Sequence, residues 1–143
     1  MERIFGAYTI SDDRNLLDLE VIRGFMEQSY WGKTRPFERT LKATLNSHCF
    51  GVYDSDGKQV GFARVVTDYA TCYYLCDVFI DENHRGEGIG KALVAAIVGM
   101  EELQELTGIL ATDDAFGLYE RFGFARELDK MMRKPASWAA QPE

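Results

Sequence analysis

The chain has 143 residues, 46% of them apolar and 27% charged, enough for one domain whose core needs neither disulfides nor metals. Its net charge of −7 argues against a nucleic-acid surface, which would carry a basic patch. No run of about 18 apolar residues and no basic-then-apolar leader occurs, so neither a membrane span nor secretion is expected.

In chain order, Arg3 to Ile10 combines aromatic and branched residues and predicts a first strand, broken by the polar cluster from Ser11 to Asn15. From Asp18 onward, Leu19, Ile22, Phe25 and Met26 recur at helical spacing, so an amphipathic helix is expected to near Tyr30. Gly32 and Pro36 end it, and a second, more exposed helix follows from Pro36 to Asn46. Strands are then predicted at His48 to Tyr53, Lys58 to Thr67 and Cys72 to Asp81, the first two joined by the Asp-Gly hairpin signal of Asp54 to Gly57. Cys49, Cys72 and Cys76 are odd in number and lack metal-ligand spacing. They read as reduced thiols of a cytoplasmic protein, and no metal is expected.

The stretch after the third of these strands organises the rest. Arg85-Gly86-Glu87-Gly88-Ile89-Gly90-Lys91 places glycines at alternate positions and runs directly into the apolar segment Ala92 to Val98. Glycine reaches φ values that other residues avoid, so such a loop lets backbone N–H groups converge on an anion. A helix starting behind it adds its first-turn donors and its dipole, and the natural guest is a phosphate. A dinucleotide fingerprint would need glycine at Lys91, and a Walker loop would need glycine at Arg85 and Ser or Thr at Ala92. Neither fits.

The helix beyond the loop is apolar nearly all round, through Ile89, Leu93, Val94, Ala96, Ile97 and Val98, and is expected to be buried against a sheet. Leu106 to Thr112 reads as a short strand. Asp113 or Asp114 is expected to cap a short helix ending at Gly123, and the last strand or strands should lie within Phe124 to Arg133. The tail from Pro135 to Glu143 has no periodicity and is expected to fray, with Trp138 available to dock on a neighbour. We therefore expect one domain over 1–134 and a flexible tail over 135–143.

The pattern Arg85-x-x-Gly88-x-Gly90, set between a strand and a helix, resembles the pyrophosphate-binding motif of the GNAT family, the Gcn5-related N-acetyltransferases. The element order strengthens the likeness, which covers most of the chain and points to a bacterial-type single-domain member. The resemblance implies an α/β (α+β) fold: a mixed, mostly antiparallel sheet, splayed at its central strands and flanked by helices. It also implies acetyl-CoA as co-substrate. The pantetheine arm would lie against backbone groups of Val78, Phe79 and Ile80, and the pyrophosphate on the amides of Arg85, Gly86, Glu87, Gly88, Ile89 and Gly90, with Lys91 adding charge.

A second motif, Asp114 to Phe124, resembles the family's late helix and turn, and Tyr119 matches the tyrosine that stands near the coenzyme sulfur. The chemistry is apt: a departing thiolate needs a proton, and a phenol of pKa about 10 keeps its proton at neutral pH. An attacking ammonium of pKa about 10.4 must first lose a proton, so a base or a water chain is required. Asp77 is the leading candidate, placed by strand alternation on the face of Phe79, with Glu82, Asp12 and Asp13 as weaker options. Cys76 should point to the opposite face. Tyr30, Trp31 and Arg35 are candidates for the acceptor pocket, and core packing or a solvated Arg accounts for them about as well. His48 and His84 are expected to be structural or solvated.

The resulting expectation is direct transfer of the acetyl group to a primary amine of a small molecule or peptide, in a ternary complex. The alternatives are a catalytically silent coenzyme-A-binding sensor or partner subunit, and an interaction protein that uses the loop only structurally. Exposed edge strands permit a homodimer without requiring one.

Overall fold

A computed structural model of the chain describes residues 1–127 and 129–139. Six strands form one sheet in the order β1-β2-β3-β4-β5-β6, antiparallel except for the last pair. The first are β1 (Glu2–Phe5) and β2 (Tyr8–Ser11), a hairpin where one strand was expected. Gly6 explains the difference: its φ of +58° permits the two-residue loop Gly6-Ala7, of the kind that opens on glycine. The helices α1 (Leu19–Gln28) and α2 (Phe37–Leu45) follow. Asp18 caps α1 by accepting from the amides of Glu20 (3.1 Å) and Val21 (3.2 Å).

Next come β3 (His48–Tyr53) and β4 (Gln59–Thr67), joined as the Asp-Gly signal predicts. Asp54 Oδ1 accepts from the amides of Asp56 and Lys58, both at 2.9 Å, and Gly57 sits at φ +81°. A second carboxylate, Asp68, ties the turn into β5 (Cys72–Ile80) by accepting from the amides of Ala70 and Thr71. The chain then passes through α3 (Ile89–Val98) to β6 (Thr107–Ile109) and α4 (Phe116–Glu120).

The helices lie on both faces of the sheet. On one, Phe50, Val52, Val65 and Leu75 pack with Leu93, Val94 and Ile97 of α3 and with Tyr119 of α4. On the other, Cys49, Phe62 and Phe79 pack with Ile22, Phe25 and Met26 of α1. The central side chains Phe50, Phe62, Leu93 and Ile97 are fully buried, each stabilising by about 1.5–3 kcal/mol.

Two features of this sheet create a site. β6 runs parallel to β5 for only three pairs, Cys72↔Thr107, Tyr73↔Gly108 and Tyr74↔Ile109. Beyond Tyr74 the β6-facing edge of β5 has no strand partner among the described residues, so the sheet opens there. A bulge sits in the same stretch: Phe62 pairs with Phe79 and Arg64 with Cys76, so Ala63 alone opposes Asp77 and Val78.

No strand forms between Phe124 and Arg133 among the described residues. Gly123 turns the chain at φ +92°, Phe124 meets Tyr119 edge-on, and a polar turn closes from the Lys130 amide to the Glu127 carbonyl. Acidic and lysine side chains are poor strand formers, so little favours a ladder there. The expected cap of α4 also differs: Thr112 Oγ1 accepts from the Ala115 amide (3.1 Å), while the Asp113 amide donates to Tyr30 Oη (3.2 Å). Trp138 does dock, its ring 6.0 Å from the Arg35 guanidinium and 5.7 Å from that of Arg39.

Candidate active site

The glycine loop is built outward from β5. Asp81 caps a single turn of 3-10 helix, Glu82–His84, by accepting from the Asn83 amide, and the Arg85 amide donates to the Glu82 carbonyl at 3.4 Å. The chain then leaves the turn through Gly86 at φ +85° and Gly88 at φ +82°, left-handed conformations that strain any side chain. From Gly86 to Lys91, six consecutive backbone N–H groups have no acceptor among the described residues. Helices always leave first-turn donors free; here two loop glycines extend that set, and most of the segment is exposed. The Arg85 amide does not belong to the set, contrary to expectation, because the 3-10 turn uses it.

Side chains hold this loop in place. Tyr8 on β2 bonds through its hydroxyl to His84 Nδ1 (2.8 Å) and donates to Glu87 Oε2, and the Phe5 ring stands 3.5 Å from where a Cβ on Gly88 would be. The Glu87 carboxylate is thereby turned toward β2 while its N–H stays free. Arg85 lies back over the Phe79 ring at 5.0 Å and donates from Nε to the Ile80 carbonyl (2.9 Å), one of the strand groups expected to receive the pantetheine arm.

Asp77 occupies the bulge at φ +54°, rare for a residue with a side chain. Its side chain is 2% exposed and held by two cations. Arg35 donates Nη1 to Oδ2 and Nη2 to Oδ1, both at 2.8 Å, and Arg64 donates Nε to Oδ2 at 2.9 Å. Burial opposes ionisation, but the two guanidiniums outweigh it and hold this carboxyl below the usual range. A carboxylate fixed in its charged form is a poor proton acceptor. The general base expected at Asp77 is therefore not what this geometry supports, and Asp77 instead organises Arg35 and Arg64. The bulge also puts Cys76 on the same face as Asp77, since Cys76 pairs directly with Arg64. Burial pushes the Cys76 thiol up to about 12, which keeps it neutral.

Tyr119 stands on α4, 8% exposed, its hydroxyl without a hydrogen bond among the described residues. Burial, with Tyr30 and Asp114 nearby, pushes its pKa up to about 12. Aromatic contacts lead from Tyr30 toward the bulge: Tyr30 meets Trp31 edge-on at 5.0 Å, and Trp31 meets Phe79 at 6.3 Å. The Nε1 of Trp31 is buried with no partner among the described residues. Tyr30, Trp31 and Arg35, singled out from the sequence, thus share the turn between α1 and α2 that faces β5.

Sequence reasoning missed Arg64 and Tyr8, for neither stands in a local motif. His84 is structural, through Tyr8, and so is His48, whose ring nitrogens meet Asp12 Oδ2 (2.8 Å) and Tyr69 Oη (3.1 Å). Among the described residues no three His, Cys, Asp or Glu side chains cluster as metal ligands, and no helix is long and apolar enough to cross a membrane.

Comparison with known proteins places the fold in a family. Residues 46–126 match the model of the acetyltransferase (GNAT) domain. A protein of Xanthomonas campestris assigned to the same family is 42% identical and superposes with a TM-score of 0.84 over 90% of this chain and 93% of its own. A protein of Gibberella zeae assigned as an acetyltransferase is 28% identical across 88% of this chain and 85% of its own length. The fold extends to a Clostridium acetobutylicum protein described in complex with acetyl-CoA, 13% identical, TM-score 0.64, matched over 94% of this chain and 96% of its own. With its splayed sheet, glycine loop and late tyrosine, the chain belongs to the GNAT family of acetyltransferases.

Proposed function

We propose that the protein transfers the acetyl group of acetyl-CoA to a primary amine of a small molecule or peptide, by direct attack. The observation that carries this reading is the run of six unbonded amides from Gly86 to Lys91, at the start of α3 and beside the open edge of β5. These donors suit a diphosphate, with the Lys91 ammonium adding charge. Val78, Phe79 and Ile80 would line the arm, and Arg85 would release the Ile80 carbonyl as the arm takes its place.

Acetyl-CoA supplies an activated thioester; the remaining tasks belong to side chains. The amine nitrogen attacks the carbonyl carbon, the C–S bond breaks, and the departing sulfur takes the Tyr119 hydroxyl proton, which returns from solvent. A raised pKa suits that role, because Tyr119 is then always loaded at neutral pH. Before the attack the ammonium loses one proton through water toward Asp114, whose charge is felt at Tyr119; once the C–N bond has formed the nitrogen sheds its second proton to solvent, from which Tyr119 is reloaded. Tyr30, Trp31 and Arg35 border the acceptor. The three free thiols fit a cytoplasmic setting.

The test is a screen of amines and peptides with acetyl-CoA, read by free-thiol release, beside a melting curve with coenzyme A. Coenzyme A at about 100 times its Kd should add about 2.7 kcal/mol of stability. Stabilisation with no thiol release for any amine would make the protein a coenzyme-A sensor; no stabilisation would remove the loop from coenzyme binding altogether.

A further inference from the structure

The cluster at the bulge is unbalanced in charge, and the imbalance speaks to the acceptor. Arg35, Arg64 and Asp77 have side chains 9%, 13% and 2% exposed, so two buried cations share one carboxylate. Arg64 also donates Nη1 to Ser47 Oγ (3.1 Å). Arg35 Nε and Arg64 Nη2 have no acceptor among the described residues and are not sealed off, so water or a ligand can reach them. Among the described residues the neighbours do not cancel the charge. Cys49 and Cys76 stay neutral, their thiols pushed up to about 11 and about 12 by burial. The surrounding charged groups add more cations: Arg39 lies with Arg35 under the Trp138 ring, and Arg14 donates to the Ser47 carbonyl. A buried surplus of positive charge is costly unless an anion meets it.

A second observation points the same way. Trp31 Nε1 is a buried donor with no partner among the described residues, on the same turn as Arg35. Leaving such a group unsatisfied costs about 1–3 kcal/mol. At the Tyr119 end, the Tyr30 hydroxyl accepts from the Asp113 amide (3.2 Å), and the charge of Asp114, an acidic group suited to an ammonium, reaches Tyr119.

Resting on the reading above, we infer that the acceptor is an amine that also bears a carboxylate, its amine at the Tyr119 end and its carboxylate against Arg35, Arg64 and Trp31. Among the groups bonded to one another at the bulge, two guanidiniums less one carboxylate leave one positive unit, which a single carboxylate matches; Arg39 and Arg14 lie outside that bonded set.

The experiment offers the wild-type protein and acetyl-CoA four sets of amines: the standard amino acids, their carboxamides, the corresponding decarboxylated amines, and phosphoethanolamine. Thiol release is followed in each. The inference expects kcat/KM for the best amino acid to exceed that of its carboxamide and its decarboxylated amine by about tenfold or more, the loss of at least one charge-assisted bond. Trp31→Phe should raise KM for that amino acid and leave kcat nearly unchanged. Equal or better use of the carboxamides, the decarboxylated amines or the phosphate overturns it. Melting curves with each compound in the presence of coenzyme A separate the two readings. If no amine releases thiol, acetyl transfer to an amine fails, yet stabilisation by amino acids and not by their carboxamides still places a carboxylate at this cluster. Stabilisation by neither overturns the inference.

Discussion

The two halves of the site are held by opposite means. At the glycine loop the working groups are main-chain amides, contiguous in sequence and without partners among the described residues. At the bulge they are side chains drawn from three distant segments, with Asp77 bonded across 42 residues to Arg35 and across 13 to Arg64. A loop of free donors in water costs little to maintain, because solvent satisfies them until a ligand arrives. A buried cluster with one carboxylate between two guanidiniums is stable only while every member is present. The loop is a receptor that tolerates being empty; the bulge is a fixture that does not tolerate loss.

Breaking the fixture should have the largest effect. Asp77→Asn leaves two guanidiniums buried without a counter-charge and should cost about 3–5 kcal/mol, measured by urea unfolding with an unchanged m-value. The sign of the pH dependence follows from the lowered pKa of Asp77. Its ion pairs stabilise the fold at every pH above the ordinary carboxylate value of about 4 and are lost as pH falls through the folded value. The stability curves of wild type and Asp77→Asn should therefore converge in acid and separate at neutral pH. Parallel curves would mean that the pairs contribute nothing.

Removing the proton donor comes next. Tyr119→Phe keeps the buried ring and deletes a hydroxyl that has no partner among the described residues, so its melting temperature should barely move. Its kcat should fall by about 100-fold, the low end for a lost general acid. An unchanged kcat would put the proton elsewhere.

The loop should separate stability from affinity in the way the bulge cannot. Gly90 has ordinary φ, and among the described residues a Cβ there would meet only Ile80, at 3.8 Å. Gly90→Ala should therefore be neutral or stabilising by about 0.5–1 kcal/mol, since alanine favours helices. It should still weaken coenzyme A binding by about tenfold, because a methyl would stand among the donors. Unchanged binding would move the phosphates away from the start of α3. The smallest effect belongs to Tyr8→Phe, which frees the Glu87 carboxylate to approach the bound anion. A KM for acetyl-CoA raised severalfold, with kcat unchanged and recovery in the Tyr8→Phe/Glu87→Gln double variant, would confirm that Tyr8 restrains that charge.

The same contrast explains what could be read from the sequence. The loop was legible because its signal is local: alternate glycines between a strand and an apolar helix specify both the free amides and the turn that presents them. The hairpin at Asp54 to Gly57, the cap at Asp18 and the buried α3 were legible for the same reason. Asp77 stands out in the sequence as a candidate base, whereas its bonds to Arg35 and Arg64 are not announced there. Strand alternation assumes an unbroken pleat, and neither the bulge nor a left-handed aspartate leaves a mark in the residues around it. Arg64 stands on a strand where nothing nearby announces a partner, and Arg35 acquires its partner only when the sheet forms. The splitting of the first strand at Gly6 was locally visible and missed, because glycine in a strand reads equally as a bulge.

The most direct measurement of the central claim is a titration of the protein with coenzyme A followed by backbone amide NMR. The account predicts that the largest shifts fall on the amides from Gly86 to Lys91, saturating together with the rise in melting temperature. If those six resonances stay in place while coenzyme A binds, or if it does not bind, the loop is not its seat and the assignment of the site is wrong.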